Sequence, residues 1–442
     1  MLDKLKKERE GINMSDVKTW DWDTREKLVT NVNEWIMKFP QVHEFVVSED
    51  GEKIAAVVKT ENETYTVCVN GETWESEFDK AWSLKFAPDG RLVVIVSEMG
   101  EWTVAVDGQT WEDKFEYVWD LKFSPNGKKI GVKVRQGGLY KVCIDGQSWE
   151  NGFFDMREFI FSPDGRKVAA TVQVEAMPEG DIFKFAEGLW TVAVDGKPWS
   201  KRFMNVWGID FSFDANLIAA EVRFDPERYT IAINEKTWPE TYSWVWAPVF
   251  KPNSTKVVAP VKKEKWFLAM DGEIIWPKGF RQIFYPVFSP DEISIAAVVA
   301  LKNGKWTVAV DGKPWNIAVD SAVLKPVFSP DGERIAAIVK IDEPAYDLKP
   351  YPVYNIAVND HIWPEWFDMV WDPVFSPDGE KLAAKVEKNG KYTIVIEGKV
   401  WGKEFDALWP PVFSPDGEKI LVRCIEGGKY YRRIVPVSRI LG

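Results

Sequence analysis

The sequence predicts an all-β fold, a single β-propeller of about ten four-stranded blades, and three observations support this. A Phe-Ser-Pro-Asp-Gly motif or a close variant recurs at a spacing of about 39 residues, which is the length of a propeller blade. Each repeat contains short strand-like segments separated by turn residues and has no sustained helical period. The tryptophans keep fixed places in the repeat. The turn carboxylate or amide of the motif falls at Asp50, Asp89, Asn126, Asp164, Asp214, Asn253, Asp291, Asp331, Asp378 and Asp416.

Each repeat predicts four antiparallel strands in succession. A short apolar first strand ends in Ser-Pro-Asp-Gly, in which Pro presets φ and Gly accepts a positive φ. The second strand is rich in small and β-branched residues, as in Ala336-Ala337-Ile338-Val339. The third strand, Trp306 to Val310 in one repeat, leads into Asp311-Gly312, the dipeptide expected of a tight hairpin. The fourth strand carries a tryptophan, here Trp315.

Tryptophan accounts for 24 of the 442 residues, and most of these rings recur in three positions of the repeat. One position lies in the fourth strand, one precedes the motif, and one opens the third strand. Small residues in the second strands leave room for large rings from the next sheet. We therefore expect the registered rings to pack between blades. Examples of the three positions are Trp74 and Trp276, Trp82 and Trp119, and Trp102 and Trp306.

The chain ends with three strands of a blade and no fourth. The segment from Asn33 to Phe39, with Trp35, resembles the fourth-strand pattern. We therefore expect it to complete the last blade from the N-terminal side, which would protect both edge strands. The predicted domains are an N-terminal extension over residues 1–24 and the propeller over residues 25–442. Because ten blades exceed the usual four to eight, two packed propellers of about five blades remain the alternative.

Composition excludes several classes of function. The net charge of -12 argues against nucleic acid as a partner, since such proteins present a basic face. The sequence contains no run of about 18 apolar residues, so no membrane span is predicted. The start of the chain has no apolar segment typical of a secretory signal. The three isolated cysteines, Cys68, Cys143 and Cys424, predict reduced thiols and a cytoplasmic protein.

No catalytic, cofactor or metal site is predicted, so we expect a protein that is not an enzyme. A catalytic acid is needed once, whereas the motif carboxylate recurs in the repeats and its surroundings are those of a turn. The sequence contains no Gly-x-Ser-x-Gly elbow, no Cys-x-x-Cys-His haem site and no phosphate loop. A hydrolase or quinoprotein-like propeller is a remote alternative.

Candidate docking residues come from two longer loops and from four tryptophans outside the register. The loops, Val174 to Gly188 and Ile341 to Val353, connect second to third strands on the same side of the propeller. Exposed apolar loops on a rigid scaffold are typical of binding sites; the alternative is that they fold back and plug the ring. Half of the four tryptophans could equally be ordinary packing. The candidates are Trp20, Trp22, Met177, Ile182, Phe183, Phe185, Trp244, Tyr346, Leu348, Tyr351 and Trp366.

The repeats resemble two groups of known proteins. Over residues ~25 to 437, the pattern Phe-Ser-Pro-Asp-Gly followed by Ile-Ala-Ala is similar to TolB-type, WD-repeat-like β-propellers. The amino-acid sequences of four segments resemble those of the propeller subunits of the Tmc transmembrane electron-transfer complexes of sulfate-reducing bacteria. The segments are Glu98 to Gly108, Val206 to Ser212, Glu387 to Val395 and Tyr430 to Val437.

The second resemblance implies an accessory subunit without cofactors. Such a subunit would be cytoplasmic and peripheral to the inner membrane, where it docks onto the haem and iron–sulfur subunits of a respiratory complex. We therefore expect a non-catalytic scaffold that binds these redox subunits on the cytoplasmic side. The alternative is a free-standing propeller that binds a peptide or a small ligand at the mouth of its channel.

Overall fold

The computed structural model describes residues 17–176, 188–342 and 352–442. The chain is a ten-bladed β-propeller of antiparallel sheets with at least four strands each, which confirms the predicted fold class and blade count. Two compact units contain five blades each. The first unit comprises Val17 and Thr30–Thr237, and the second comprises Lys18–Val29 and Trp238–Gly442.

Blades are numbered 1 to 10 in chain order. Strand β1 (Glu26–Asn31) and helix α1 (Val32–Lys38) precede blade 1. Blades 1 to 5 belong to the first unit, and in blade 1 the first strand is divided into two short strands. Their strands are β2 (Gln41–Val42), β3 (Val46–Val47), β4 (Ile54–Lys59), β5 (Tyr65–Val69) and β6 (Glu72–Thr73) in blade 1; β7 (Lys80–Phe86), β8 (Leu92–Glu98), β9 (Glu101–Val106) and β10 (Gln109–Thr110) in blade 2; β11 (Tyr117–Phe123), β12 (Ile130–Gln136), β13 (Leu139–Ile144) and β14 (Gln147–Ser148) in blade 3; β15 (Asp155–Phe161), β16 (Val168–Gln173), β17 (Trp190–Val194) and β18 (Lys197–Pro198) in blade 4; β19 (Asn205–Phe211), β20 (Ile218–Asp225), β21 (Arg228–Ile233) and β22 (Lys236–Thr237) in blade 5.

Blades 6 to 10 belong to the second unit. The first strand is divided in blades 6, 8, 9 and 10, where Pro248, Pro326, Pro373 and Pro411 lie between its two short parts and cannot donate a ladder hydrogen bond. In blade 7 the equivalent Pro286 lies at a bulge within one continuous strand. Their strands are β23 (Trp244–Val245), β24 (Val249–Phe250), β25 (Val257–Lys262), β26 (Trp266–Met270) and β27 (Glu273–Ile274) in blade 6; β28 (Gln282–Phe288), β29 (Ile295–Ala300), β30 (Trp306–Val310) and β31 (Lys313–Pro314) in blade 7; β32 (Ala322–Val323), β33 (Val327–Phe328), β34 (Ile335–Ile341), β35 (Val353–Val358) and β36 (His361–Ile362) in blade 8; β37 (Met369–Val370), β38 (Val374–Phe375), β39 (Leu382–Lys388), β40 (Lys391–Ile396) and β41 (Lys399–Val400) in blade 9; β42 (Ala407–Leu408), β43 (Val412–Phe413), β44 (Lys419–Glu426) and β45 (Lys429–Pro436) in blade 10, followed by helix α2 (Ser438–Leu441).

The hydrophobic core lies between consecutive blades of each unit. In one cluster, Leu268 and Trp276 of blade 6 pack with Ile283 and Val299 of blade 7. The fourth-strand tryptophans also contact the hairpin of the following blade, and the ring of Trp276 lies against Gly312. Burial of such rings against small residues confirms the packing role that the register predicts for them.

The closing strand is not the predicted one. Strand β1 pairs with β45 and completes blade 10, and the amide of Ile434 donates a hydrogen bond of 2.9 Å to the carbonyl of Arg25. The segment around Trp35, which we expected to be this strand, forms helix α1 instead. Its buried residues, Val32 and Trp35, have the i, i+3 spacing of a helix face. Closure between the two ends of the chain is therefore confirmed, but the strand that provides it lies upstream.

Although helical, Trp35 takes the place of a fourth-strand tryptophan. Its ring lies against Gly71 of the blade 1 hairpin, just as Trp276 lies against Gly312. Trp35 is buried and contacts Phe45 with ring centroids 5.7 Å apart. The repeat pattern therefore placed this ring among the tryptophans that pack between blades and misassigned its secondary structure.

Candidate docking surfaces

Each blade has two different ends. The turns between first and second strands and between third and fourth strands form the hairpin side. The connections between second and third strands, together with the beginnings of first and third strands, form the loop side. The hairpin side is nearly uniform among the blades, whereas the loop side varies in length and in side chains.

The motif carboxylates on the hairpin side are used by their own turns. In blade 4, Ser162 Oγ donates a hydrogen bond of 2.6 Å to Asp164 Oδ1, and the amide of Lys167 donates to Ser162 Oγ at 2.9 Å. The hydrogen bond from Ser162 holds the pKa of Asp164 below its usual range. The same Ser–Asp bond recurs at Asp214, Asp291, Asp331, Asp378 and Asp416. These geometries agree with the turn role that the sequence predicts for the motif.

Five aromatic side chains form a continuous row on the loop side of blades 2 and 3, within the first unit. The centroid of the Tyr117 ring lies 6.3 Å from that of Trp82, 5.5 Å from that of Trp102 and 5.6 Å from that of Trp119. Trp119 in turn contacts Tyr140 edge-to-face at 5.6 Å. Trp82 is 38% exposed and Tyr117 is 44% exposed. We call these five residues the first aromatic row.

Met99 lies at the turn between strands β8 and β9, on the same side of blade 2 as the first aromatic row. Its side chain is 91% exposed, and its backbone has a φ of 50°. This left-handed conformation favours glycine and asparagine over other residues. The equivalent turns contain Gly137-Gly138 in blade 3 and Asn389-Gly390 in blade 9, so the methionine departs from the residue types that suit the turn.

A second aromatic row lies on the loop side of blades 6 and 7, within the second unit. It consists of Trp244, Trp246, Trp266, Phe284, Tyr285 and Trp306. The rings of Trp246 and Trp266 are stacked with centroids 5.4 Å apart. Trp246 also contacts Phe284 at 5.2 Å, so the row crosses from one blade to the next.

Tyr285 shows the same combination of exposure and an unfavourable backbone as Met99. It occupies a bulge in strand β28, where the pairing with β29 shifts between Phe284 and Val287. Its φ is 53°, and its side chain is 42% exposed. The corresponding bulge position holds Asp120 in blade 3 and Gly208 in blade 5, both of which tolerate this conformation better than a bulky aromatic residue.

The out-of-register tryptophans occupy different environments. Trp244 is 39% exposed and contacts Trp246 with centroids 5.9 Å apart, so it belongs to the second aromatic row. Trp366 is partly buried against the hydrophobic cluster of blades 7 and 8, which agrees with ordinary packing. Trp20 and Trp22 stack on each other with centroids 6.3 Å apart, and the Trp22 carbonyl accepts a hydrogen bond of 2.9 Å from Lys419.

The remaining predicted docking residues lie outside the described residues. Most of the two long loops falls there as well. These predicted docking residues are Met177, Ile182, Phe183, Phe185, Tyr346, Leu348 and Tyr351.

The sequence did not identify the exposed members of the two rows. Trp82 stands in a position that we assigned to packing between blades, and Tyr117 was not among the predicted docking residues. A signal was nevertheless present, because Tyr117 precedes Trp119 by two residues, just as Trp244 precedes Trp246. Met99 also stood out as a methionine in a turn position that otherwise holds glycine or asparagine.

Several charged side chains link blades 3, 4 and 5 on their first and second strands. The buried Lys133 donates a hydrogen bond of 2.7 Å to the carbonyl of Arg157 and lies 3.2 Å from Asp120. Burial lowers the pKa of Lys133. The guanidinium of Arg157 donates a hydrogen bond of 3.0 Å to the carbonyl of Val206 in blade 5, and it lies 3.8 Å from the centre of the Trp190 ring within blade 4. These contacts join neighbouring blades and assign the two cations a structural role.

Glu221 is a buried carboxyl on the second strand of blade 5. Burial raises its pKa to about 8, and the nearby Glu158 contributes to the increase. Within the described residues, no group of His, Cys, Asp and Glu side chains has the arrangement of a metal site. No helix in the described part of the chain is long and apolar enough to cross a membrane.

Similarity to known proteins is found among solved structures. No protein-family model and no curated protein matches the chain. Among solved structures, it is similar to one described as the crystal structure of the eukaryotic initiation factor, with 12% identity over 83% of this chain and 89% of that one and a TM-score of 0.43. It is also similar to the Dos1 propeller, with 11% identity over 72% of this chain and 91% of that one and a TM-score of 0.35. The fold assignment above depends on the ten sheets themselves.

Proposed function

We propose that this chain is a non-catalytic β-propeller scaffold that binds partner proteins through its loop side. The observation that supports this most strongly is the exposure of Met99 beside the first aromatic row and of Tyr285 within the second, each in a left-handed backbone conformation. Such strain typically concentrates at functional sites. Exposed aromatic side chains on a rigid scaffold are also common energetic centres of protein interfaces.

We further propose that the partners are the haem and iron–sulfur subunits of a membrane-associated electron-transfer complex, on its cytoplasmic side. This part of the proposal is supported by the resemblance of the repeats to the Tmc propeller subunits. In this arrangement the chain supplies rigidity and contact surface, and its partners supply the redox groups. The chain itself would hold no cofactor and catalyse no reaction.

Affinity capture from native membranes tests both parts of the proposal. We expect the tagged chain to recover partner subunits that contain haem or an iron–sulfur cluster, detected by their absorption spectra and iron content. The double variant Trp82→Ala/Tyr117→Ala should lose most of this recovery, because it removes the exposed rings of the first aromatic row. Phe213→Ala is the matched control, since Phe213 is 48% exposed but lies in a hairpin-side turn.

The outcomes separate the two parts. Recovery of partners that contain neither haem nor iron would contradict the proposed redox partners but agree with the proposed scaffold function. Recovery of the chain alone would contradict the scaffold itself and favour a free-standing, ligand-binding propeller. Equal recovery by the double variant and the wild type would exclude the first aromatic row from the interface.

A further inference from the structure

We propose that the second aromatic row binds an acidic segment of a protein partner, one that carries carboxylates interspersed with apolar side chains. This inference rests on the proposed scaffold function and specifies the chemistry of one of its partners. It follows from the charges around the row, from the polar and charged residues at the tips of the neighbouring loops, and from the exposed rings.

The margin of the second aromatic row is basic in a chain whose net charge is -12. Lysine and arginine side chains outnumber carboxylates seven to three in the segments that flank the rings on the loop side. The cations are Lys262, Lys263, Lys265, Lys278, Arg281, Lys302 and Lys305, and the carboxylates are Glu240, Glu264 and Asp320.

Two of these seven cations are neutralised by an ion pair. Lys263 lies 2.9 Å from Glu240, and Lys305 lies 3.4 Å from Asp320. Within the described residues, the other five have no carboxylate within ion-pair distance. They are Lys262, Lys265, Lys278, Arg281 and Lys302.

One of the cations without an ion pair is placed beside the rings by strand pairing, and another lies at a neighbouring loop tip. Lys262 is the strand partner of both Trp244 and Trp266, and therefore stands between them in the sheet. The guanidinium of Arg281 lies beside Gly304, at the tip of the blade 7 loop. Positive charge is therefore built into the same surface as the aromatic rings and can complement carboxylates of a partner.

The loop tips distinguish a protein segment from a lipid surface. The connection in blade 6 is Lys263-Glu264-Lys265, and that in blade 7 includes Lys302-Asn303-Gly304. These tips are polar and charged, while the exposed rings of Trp244 and Tyr285 belong to first strands. A protein that inserts into a membrane interface places its apolar side chains deepest. Charged tips beside aromatic strands suit a peptide segment that lies across the rings and directs its carboxylates to the loops.

The first aromatic row provides an internal comparison. Its flanking segments contain the carboxylates Asp79, Glu98, Glu101 and Glu116. Two of them are paired, Glu98 with Lys114 and Glu116 with Arg135. The flanking cations are Lys80, Lys114 and Arg135, so carboxylates outnumber cations around the first row, and we expect acidic segments to select the second row.

Binding of defined synthetic peptides tests the inference. A fluorescently labelled peptide alternating Glu with Leu is titrated with the full chain at low ionic strength, and its anisotropy gives the affinity. A Lys-for-Glu counterpart and vesicles containing phosphatidylserine serve as alternative probes. We expect the Glu peptide to bind, the Lys peptide to bind at least about tenfold more weakly, and added salt to weaken binding as it screens the charges.

Variants locate the site. The pair Lys265→Glu/Lys302→Glu should weaken binding of the Glu peptide on the order of tenfold, because it replaces attraction by repulsion at both loop tips. Its matched control is Lys256→Glu/Lys313→Glu, which makes the same charge change on the hairpin side of the same two blades. Trp244→Ala should also weaken binding, since it removes an exposed ring.

Three results would overturn the inference. The first is that the Glu peptide does not bind. The second is that the loop-side and hairpin-side pairs of substitutions weaken its binding equally. The third is that the chain binds only the vesicles. The last would indicate a lipid surface. None of these results affects the capture experiment with Trp82→Ala/Tyr117→Ala, so failure of the acidic-segment inference is distinguishable from failure of the scaffold function.

Discussion

The backbone amide of Met99 donates a hydrogen bond of 2.6 Å to Asp79 Oδ2, so a carboxylate at the start of blade 2 fixes the turn that exposes the methionine. Blade 9 contains the same arrangement, in which the amide of Asn389 donates to Asp368 Oδ2 at 2.6 Å. The two turns have the same length and nearly the same φ values. They differ in the residue type at the left-handed position, which makes them a matched pair.

Met99→Asn should stabilise the protein by ~1 kcal/mol, because asparagine tolerates the left-handed conformation at less cost than methionine. The same variant should weaken recovery of partner proteins, since it replaces an exposed apolar side chain beside the first aromatic row by a shorter polar one. Denaturant unfolding gives the first quantity, and affinity capture gives the second. Asn389→Met is the reciprocal control and should destabilise the protein by a similar amount without affecting recovery. A stabilised Met99→Asn variant with full recovery would show that Met99 does not contact the partner.

Trp276 and Trp244 should respond oppositely to replacement by alanine. Trp276 is 3% exposed and packs against the next hairpin, so Trp276→Ala should cost on the order of 3–5 kcal/mol by leaving a cavity. Trp244→Ala removes a more exposed ring, and we expect a cost below about 1 kcal/mol. Chemical denaturation of the two variants measures the difference. Similar unfolding midpoints would contradict the assignment of Trp276 to the core and Trp244 to the surface.

The repeat predicted most of the fold because blade architecture is encoded locally. The turn residues, the small residues of second strands and the hairpin glycines each specify their own short segment. Helix α1 was missed because Trp35 occurs in a sequence that resembles a fourth strand, while the i, i+3 spacing of Val32 and Trp35 suits a helix equally well.

Exposure was harder to predict than secondary structure. Trp82 and Trp119 hold the same position of the repeat, yet Trp82 is exposed and Trp119 is partly buried. The difference depends on side chains contributed by neighbouring blades, which the repeat does not specify. The strained conformation of Tyr285 likewise depends on a bulge whose register only the pairing of two strands defines.

Removal of strand β1 should expose the edge of blade 10. A chain that begins at Val32 lacks the residues that pair with β45. It also loses the carbonyl of Asp21, which accepts a hydrogen bond from the buried Arg432. Unpaired edges promote association between chains, so we expect a lower melting temperature and oligomers in light scattering. A chain that begins at Met14 retains β1 and is the control. A monomeric, equally stable chain beginning at Val32 would contradict the closing role of β1.

The three cysteines should resist alkylation while the protein is folded. All three are buried and free. Burial raises the pKa of Cys68 to about 11 and those of Cys143 and Cys424 to about 12, so the reactive thiolate is scarce at neutral pH. Mass spectrometry after iodoacetamide treatment near pH 8 should find the native thiols unmodified and all three modified in denaturant. Rapid modification of a native thiol would show that its strand opens.

Glu221 should make the protein less stable as the pH rises through neutrality. Its pKa is raised from 4.5 to about 8 on folding, so the folded chain keeps a proton that the unfolded chain releases. The contribution of Glu221 to the free energy of unfolding is therefore constant below about pH 4.5, falls as the pH rises from 4.5 to 8, and is constant again above that range. The full loss is on the order of 5 kcal/mol.

Glu221→Gln isolates this contribution, because the amide has the shape of the protonated acid and does not ionise. Relative to the wild type, the variant should gain stability progressively between pH 5 and 8, as measured by denaturant unfolding at several pH values. Glu158→Gln should reduce the wild-type slope without abolishing it, since it removes the neighbouring charge and leaves Glu221 buried. A constant difference between Glu221→Gln and the wild type over this range would mean that the Glu221 carboxyl ionises at its ordinary pKa in the folded chain.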